Sequence, residues 1–327
     1  MKIKVPDYFV KFRCIADQCK DSCCIGWEIV IDDVTRDKYS RLKCEIGHEI
    51  AEKTQHGCFP LQENGRCAFL DGKGLCRIIS ALGDGYLCDI CREHPRYYGV
   101  GKDGIEGGLG LGCEVAADII LSLDKLPKLI ETEREVHYFD EDFFSGISDH
   151  FRVTLYNCIF AHRIEDVAGA FTAYSILADS VSFEASTSGT EVSIPALTAS
   201  AVDYGLLERL YSAFFDSLYE CEALTDDWNE ILNKANDIKA ADSLEILDEH
   251  RGLLYYFTHR YVREGVEDMS LGQRILFSLC SSLAISAISK VINGDDAKIR
   301  SAVLYSKNIE YSTDNVDMIL DNLSSFL

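Results

Sequence analysis

Eleven of the fourteen cysteines in this 327-residue chain lie at or before Cys113. Sulfur at that density leaves two main options, a disulfide-stapled module or one organised around metal. The opening, Met1-Lys2-Ile3-Lys4-Val5-Pro6-Asp7, lacks the long apolar run of a secretion signal. The expected compartment is therefore the cytoplasm, where thiols stay reduced, and the expected partner of the thiols is metal. Cys158, Cys221 and Cys280 stand far apart in apolar surroundings and read as small buried hydrophobes.

Spacing divides the cluster. Cys14, Cys19, Cys23 and Cys24 form a C-x4-C-x3-C-C group. In a regular strand the adjacent pair Cys23-Cys24 faces opposite ways. In a turn the two either ligate together or feed separate sites. Cys67, Cys76, Cys88 and Cys91 form the second group, and Cys113 closes the cysteine-rich stretch. Two residues between Cys88 and Cys91 let both sulfurs converge on one metal. The alternative for that pair is redox exchange. Thiolate sets suit zinc or an iron–sulfur cluster, and eleven cysteines suffice for two four-thiolate sites or for one site with bystanders. Cys44, with no cysteine neighbour, reads as a bystander, and Cys58 as intermediate. His94 reads as a capping residue near the cluster rather than a ligand, and His48 and His56 form no recognised ligand pair. The chain carries neither an H-E-x-x-H zinc motif nor a G-x-S-x-G nucleophile elbow.

Charge separates the two halves. Through residue 120 there are 16 basic and 19 acidic side chains; after it there are 16 and 35. The net charge of −22 gives no basic footprint, so nucleic acid is not an expected partner. The expected organisation is a cysteine-rich metal or iron–sulfur module over residues 1–126, packed against an acidic, mainly helical domain over 127–327. The expected fold class is α+β. Residues 275–292 are the most apolar stretch, but five serines and Lys290 mark a core helix rather than a membrane span.

Local patterns fill in the elements. Apolar alternation predicts a strand over residues 25–32, and acidic cap candidates start a helix over 33–42. Residues 65–70 and 74–78 read as two short arms around Asp71-Gly72-Lys73-Gly74. Seven glycines crowd residues 99–112 without the ending of a phosphate loop or the spacing of a dinucleotide fingerprint. Helices are expected over 114–123, 151–170, 202–218, 242–261 and 271–292, with two weaker ones in 295–327. Residues 180–200 read as a loop or short strands.

One family shares these landmarks in order: Phe12-Arg13-Cys14, Cys19, Cys23-Cys24-Ile25-Gly26-Trp27, Ile31-Asp32, Gly65-Arg66-Cys67-Ala68-Phe69-Leu70, Leu75-Cys76-Arg77-Ile78, Leu82-Gly83, Leu87-Cys88-Asp89-Ile90-Cys91, Pro95-Arg96 and Gly112-Cys113-Glu114. The chain resembles the flagellin lysine-N-methylase family, whose members share a zinc- or iron-chelating module. It departs at His94, where many relatives have tyrosine, and at Cys113-Glu114, where many have Cys-Pro-Glu. The resemblance implies methyl transfer from S-adenosylmethionine to lysine side chains of flagellin. From the thiol set, the expected metal group is an iron–sulfur cluster, 4Fe-4S before zinc. The resemblance assigns no catalytic residues and no contacts to the methyl donor. The alternative is a metal or iron–sulfur protein with an electron-transfer, sensing or scaffold role.

Overall fold

The computed structural model describes residues 1–101, 104–136, 140–143, 146–188, 201–263 and 270–327. The architecture mixes strand and helix. The strands are β1 (Lys2–Pro6), β2 (Ile29–Val30), β3 (Cys58–Phe59), β4 (Arg96–Gly101), β5 (Gly104–Leu109), β6 (Leu129–Glu133) and β7 (Asp140–Phe143). Five of them form one sheet in the order β6-β1-β5-β4-β7, while β2 and β3 pair separately. In β1 the two-residue period buries Ile3 and Val5 and leaves Lys2 exposed. It runs parallel to β5, with Ile3 opposite Ile105, and antiparallel to β6, with Val5 opposite Ile130. The glycine crowding has a steric cause here: a Cβ on Gly107 would stand 2.7 Å from the Tyr98 ring.

The helices of the first half are α1 (Asp33–Ser40), α2 (Glu45–Lys53), α3 (Arg77–Leu82), α4 (Asp89–Glu93) and α5 (Glu114–Leu121). Helix α1 starts where the acidic cap predicts, with the Asp32 carboxylate accepting from the Thr35 N–H at 2.8 Å. The expected strand over residues 25–32 is cut to Ile29–Val30. Gly26 at φ +94° turns the chain, and β3 offers only two residues to pair. The arms around Asp71 form as read. The Asp71 carboxylate accepts from the Lys73 and Leu75 N–H groups at 2.8 Å each, and Leu70 pairs with Cys76.

The second half supplies α6 (Gly146–Ala161), α7 (Ile164–Ser188), α8 (Tyr204–Glu220), α9 (Trp228–Asn236), α10 (Ala240–Asp248), α11 (Gly252–Tyr261), α12 (Leu271–Val291), α13 (Ala297–Tyr305) and α14 (Thr313–Leu323). Two expected helices are each split in two. The run 151–170 breaks between α6 and α7, and the run 242–261 between α10 and α11. One side chain serves both breaks. Arg251, between α10 and α11, donates to the Ile159 and His162 carbonyls at the end of α6, 2.6 Å each. A cation there satisfies carbonyls that the helix leaves unpaired. The expected loop over 180–200 is helical through Ser188, and its remainder lies outside the described residues.

The central element is α12, which packs against α7, α9, α10, α11 and α13. It is long and apolar enough to cross a membrane, yet 89% of its apolar window is buried inside the protein, as expected of a core helix. Its serines fit an apolar core because they bond their own backbone. Ser278 donates to the Arg274 carbonyl, Ser282 to that of Ser278 and Ser286 to that of Ser282, at 2.7–2.8 Å.

Apolar packing forms two cores. One joins Ile3, Val5, Phe9, Phe12, Tyr98, Leu109 and α5 to the helices. The other is smaller and gathers Ile29, Tyr39, Ile50, Phe59, Phe69, Ile78 and Cys88. The first core carries a histidine clamp. His259 Nε2 lies 3.2 Å from the Gly107 carbonyl, which can only accept, so Nε2 bears the proton. Nδ1 then accepts from the Tyr156 hydroxyl at 2.8 Å. Burial, followed by the Arg152 and Arg263 charges, pushes the His259 pKa down to about 3. The unfolded chain therefore binds this proton first, near pH 6.5. The neutral clamp's contribution is complete above that pH and is lost as the pH falls toward about 3. The expected cost is about 1.4 kcal/mol per pH unit in that window. Urea denaturation at pH 7 and pH 5 measures it, with His259→Gln as the variant in which this part of the slope disappears.

Candidate functional site

The site is built where the loop after Phe12 meets the smaller core and the N-terminus of α5. A cavity of about 430 Å³ opens there. Seven of the nine candidate cysteines line it: Cys14, Cys19, Cys23, Cys24, Cys76, Cys91 and Cys113. The other two stand beside it. Cys88 is buried and shares a thiol–thiol hydrogen bond with Cys91, and Cys67 lies near Cys24, Cys76 and Cys88. Cys44 is exposed, and Cys58 is half-buried in β3. Neither lines the cavity.

Neighbour relations divide the nine further. Cys14, Cys19 and Cys113 act electrostatically on one another, and Cys23 senses Cys14 and Cys113. Cys24, next in the chain, instead influences Cys67, Cys76 and Cys91. The adjacent pair sits in a turn, with its two thiols hydrogen-bonded to each other, so it joins the two sets. Among the described residues, no three His, Cys, Asp or Glu side chains are arranged as a metal-holding group.

The protonation states follow from the surroundings. Burial pushes the Cys19 thiol up to about 12 and that of Cys67 to about 11. The hydrogen bond with Cys24 holds Cys23 high, and the same bond brings Cys24 down to about 7. In the Cys88–Cys91 pair, Cys88 is lowered and Cys91 raised by their mutual bond. Cys76, Cys88 and Cys113 occupy the N-cap positions of α3, α4 and α5. Burial raises Cys76 and Cys113, while the first-turn N–H groups of their helices pull the other way.

Aromatic rings form one wall. Trp27 donates its indole N–H to the Cys23 carbonyl at 2.7 Å, and its ring lies 4.7 Å from that of Tyr311 and 6.0 Å from that of His94. His94 lines the cavity; its Nε2 is buried without a hydrogen-bond partner, and burial pushes its pKa down to about 4. It is thus a neutral side chain on the wall. Three charged contacts clasp the cysteine loop to the helices. The Glu114 carboxylate accepts from the Lys20 N–H at 3.1 Å and the Asp21 N–H at 3.3 Å. Lys20 Nζ pairs with Asp296 at 2.7 Å, and Lys307 pairs with Asp21. Lys307, Asp296 and Tyr311 went unseen in the sequence, because each meets the loop from about 275 residues or more further along the chain and leaves no local signal.

The arrangement places seven thiols around one cavity beside an aromatic wall. Comparison with known proteins adds a lineage. The lysine-N-methylase of Salmonella typhimurium is 30% identical over 130 residues, which cover 36% of this chain and 32% of that protein. The lysine-N-methylase of Salmonella choleraesuis matches to the same extent. The chain therefore spans about a third of the lysine-N-methylases it matches. The flagellar biosynthetic protein FliU of Salmonella muenchen is also 30% identical over 130 residues, and there the match covers 75% of the relative. No family model and no solved structure matches. With three quarters of FliU matched at that identity, the chain belongs to the family of FliU and the lysine-N-methylases.

Proposed function

We propose that the protein methylates lysine side chains of a protein substrate, flagellin, with S-adenosylmethionine as the methyl donor. The observation that carries this reading is the 130-residue similarity to proteins named lysine-N-methylase. In the reaction the lysine nitrogen lone pair attacks the sulfonium methyl. The S–CH3 bond breaks, its electron pair stays on sulfur, and the new alkylammonium sheds a proton. The attacking amine must be neutral, whereas free lysine titrates near ~10.4. Binding must therefore desolvate the ammonium or offer it a proton acceptor.

The thiol pocket is the proposed metal site. The donor set fits, since nine thiols are the soft ligands that zinc and iron–sulfur clusters take. Cys14, Cys19, Cys23 and Cys113 would hold one centre, and Cys24, Cys67, Cys76, Cys88 and Cys91 would supply another. A 4Fe-4S cluster or zinc bound there supplies cross-links between distant chain segments. The chain's own part is to deliver the thiols: the helix N-caps present three of them, and the Glu114 clasp holds the loop that carries Cys19 and Cys23.

A second reading, a metal protein with an electron-transfer, sensing or scaffold role, is favoured by one observation: seven thiols line one pocket. Mass spectrometry of flagellin after incubation with the purified protein and methyl donor separates the two. Lysines heavier by 14 Da per methyl group are the expected result. Unmodified flagellin, together with a reversible spectral change on reduction, would leave the second reading standing.

A further inference from the structure

A second, larger cavity lies beside the thiol pocket and is not used by the reading above. It measures about 800 Å³ and is bounded by the loop from Ile15 to Asp21 and by α5, α9 and α13. Its floor is aliphatic, with Ile15, Val115, Ile231, Ile292, Ile299 and Leu304 all half-buried. Its rim is acidic. Asp21 is held by Lys307, Glu114 by the loop N–H groups and Asp296 by Lys20. Asp118 and Asp227 are exposed, and among the described residues neither has an ion pair or a side-chain hydrogen bond. The cations on the wall are Lys20, engaged by Asp296, and Arg300, which donates to the Asn293 carbonyl.

We propose that this cleft is the docking site for the lysine-bearing segment of the protein substrate, a proposal that rests on the methyl-transfer reading. Three observations converge on that occupant. Lysine combines an aliphatic stem with a compact ammonium, and the cleft combines an aliphatic floor with two unpaired carboxylates. The charge is complementary over a longer range as well, since residues 121–327 carry 35 acidic and 16 basic side chains. The cleft also adjoins the thiol pocket, because Ile15, Asp21, Glu114 and Val115 line both cavities. A segment lying in the cleft reaches the side of the molecule where the cysteine loop and α5 meet.

The test uses the full chain and two probes. One is a capped nonapeptide of alanine and leucine with a single central lysine; the other has Nε-acetyl-lysine at that place. Fluorescence anisotropy at low salt is expected to show tighter binding of the lysine peptide, by about tenfold. Asp118→Asn with Asp227→Asn is expected to remove that preference with an unchanged melting temperature, because both side chains are exposed. Equal affinity for the two peptides overturns the proposal, and so does an undiminished preference in the double variant. Flagellin methylation is followed in parallel, so that the two readings fail separately. Full methylation by the double variant overturns the cleft proposal and leaves the methyl-transfer reading in place. Charge-selective binding with no methylation of flagellin removes the methyl-transfer reading and supports the cleft as a site for basic segments.

Discussion

On the metal reading, Cys91→Ser is expected to lower the metal content of the thiol pocket and to loosen residues 13–94 while leaving the helical half folded. The Cys91 thiol lines the cavity, bonds the buried Cys88 and stands within electrostatic reach of Cys23 and Cys24. On the metal reading it therefore serves the set that ties α4 to the turn at Cys24 and the arms at Cys67 and Cys76. Structural metal contributes about 10–16 kcal/mol of binding free energy in the smallest metal-organised folds. Losing one thiolate forfeits part of that and leaves the smaller core to hold itself. That core is short of apolar side chains, with eight buried members among the described residues, one of them Cys88. The larger core draws on other segments. Elemental analysis after chelator challenge should show at least about tenfold weaker retention. Limited proteolysis should cut first within residues 13–94. Cys44→Ser is the control, since that thiol is exposed and away from the cavity. Full metal content with unchanged protease resistance in Cys91→Ser would leave the Cys88–Cys91 pair as redox-active or incidental.

Arg152→Met is expected to destabilise the sheet-to-helix junction by about 3–5 kcal/mol. Arg152 projects from α6 and is 3% exposed. It pairs with Glu106 of β5 at 2.9 Å and with Asp149 at 2.6 Å. Glu106 is itself 9% exposed and, among the described residues, retains a longer contact to Lys4, at 3.6 Å, once the arginine is gone. Removing one member of a buried pair leaves the other charge without compensation in a poorly polarisable interior, and that residue sets the cost. Arg152→Met with Glu106→Leu should recover much of the loss, because both charges then leave together. Urea titration of the three variants at pH 7 makes the comparison. A single-variant loss below about 1 kcal/mol would mean that water or Lys4 already compensates Glu106.

What the sequence by itself determined is the local chemistry. The cysteine spacing singled out nine residues, seven of which line one cavity, and set Cys44 apart from them. Asp32 marked the start of α1, and Asp71-Gly72 marked a turn, because an Asx side chain acts within four residues. The serine-spotted apolar run marked a buried helix rather than a membrane span, and the hydroxyls of Ser278, Ser282 and Ser286 are satisfied one turn back along the same helix. Tertiary structure alone decided the rest. β1 lies between β5 and β6, partners that follow it by about a hundred residues or more, and no periodicity within five residues encodes a partner. The helices split at Arg251 because its guanidinium reaches carbonyls of α6, a choice that exists only once the helices meet. The clasp of Glu114, Asp296 and Lys307 on the cysteine loop, and the ring of Tyr311 on Trp27, have the same origin. Hydrophobic periodicity and capping are settled by near neighbours, whereas partners in a sheet, an ion pair or a cavity wall are chosen by packing the whole chain.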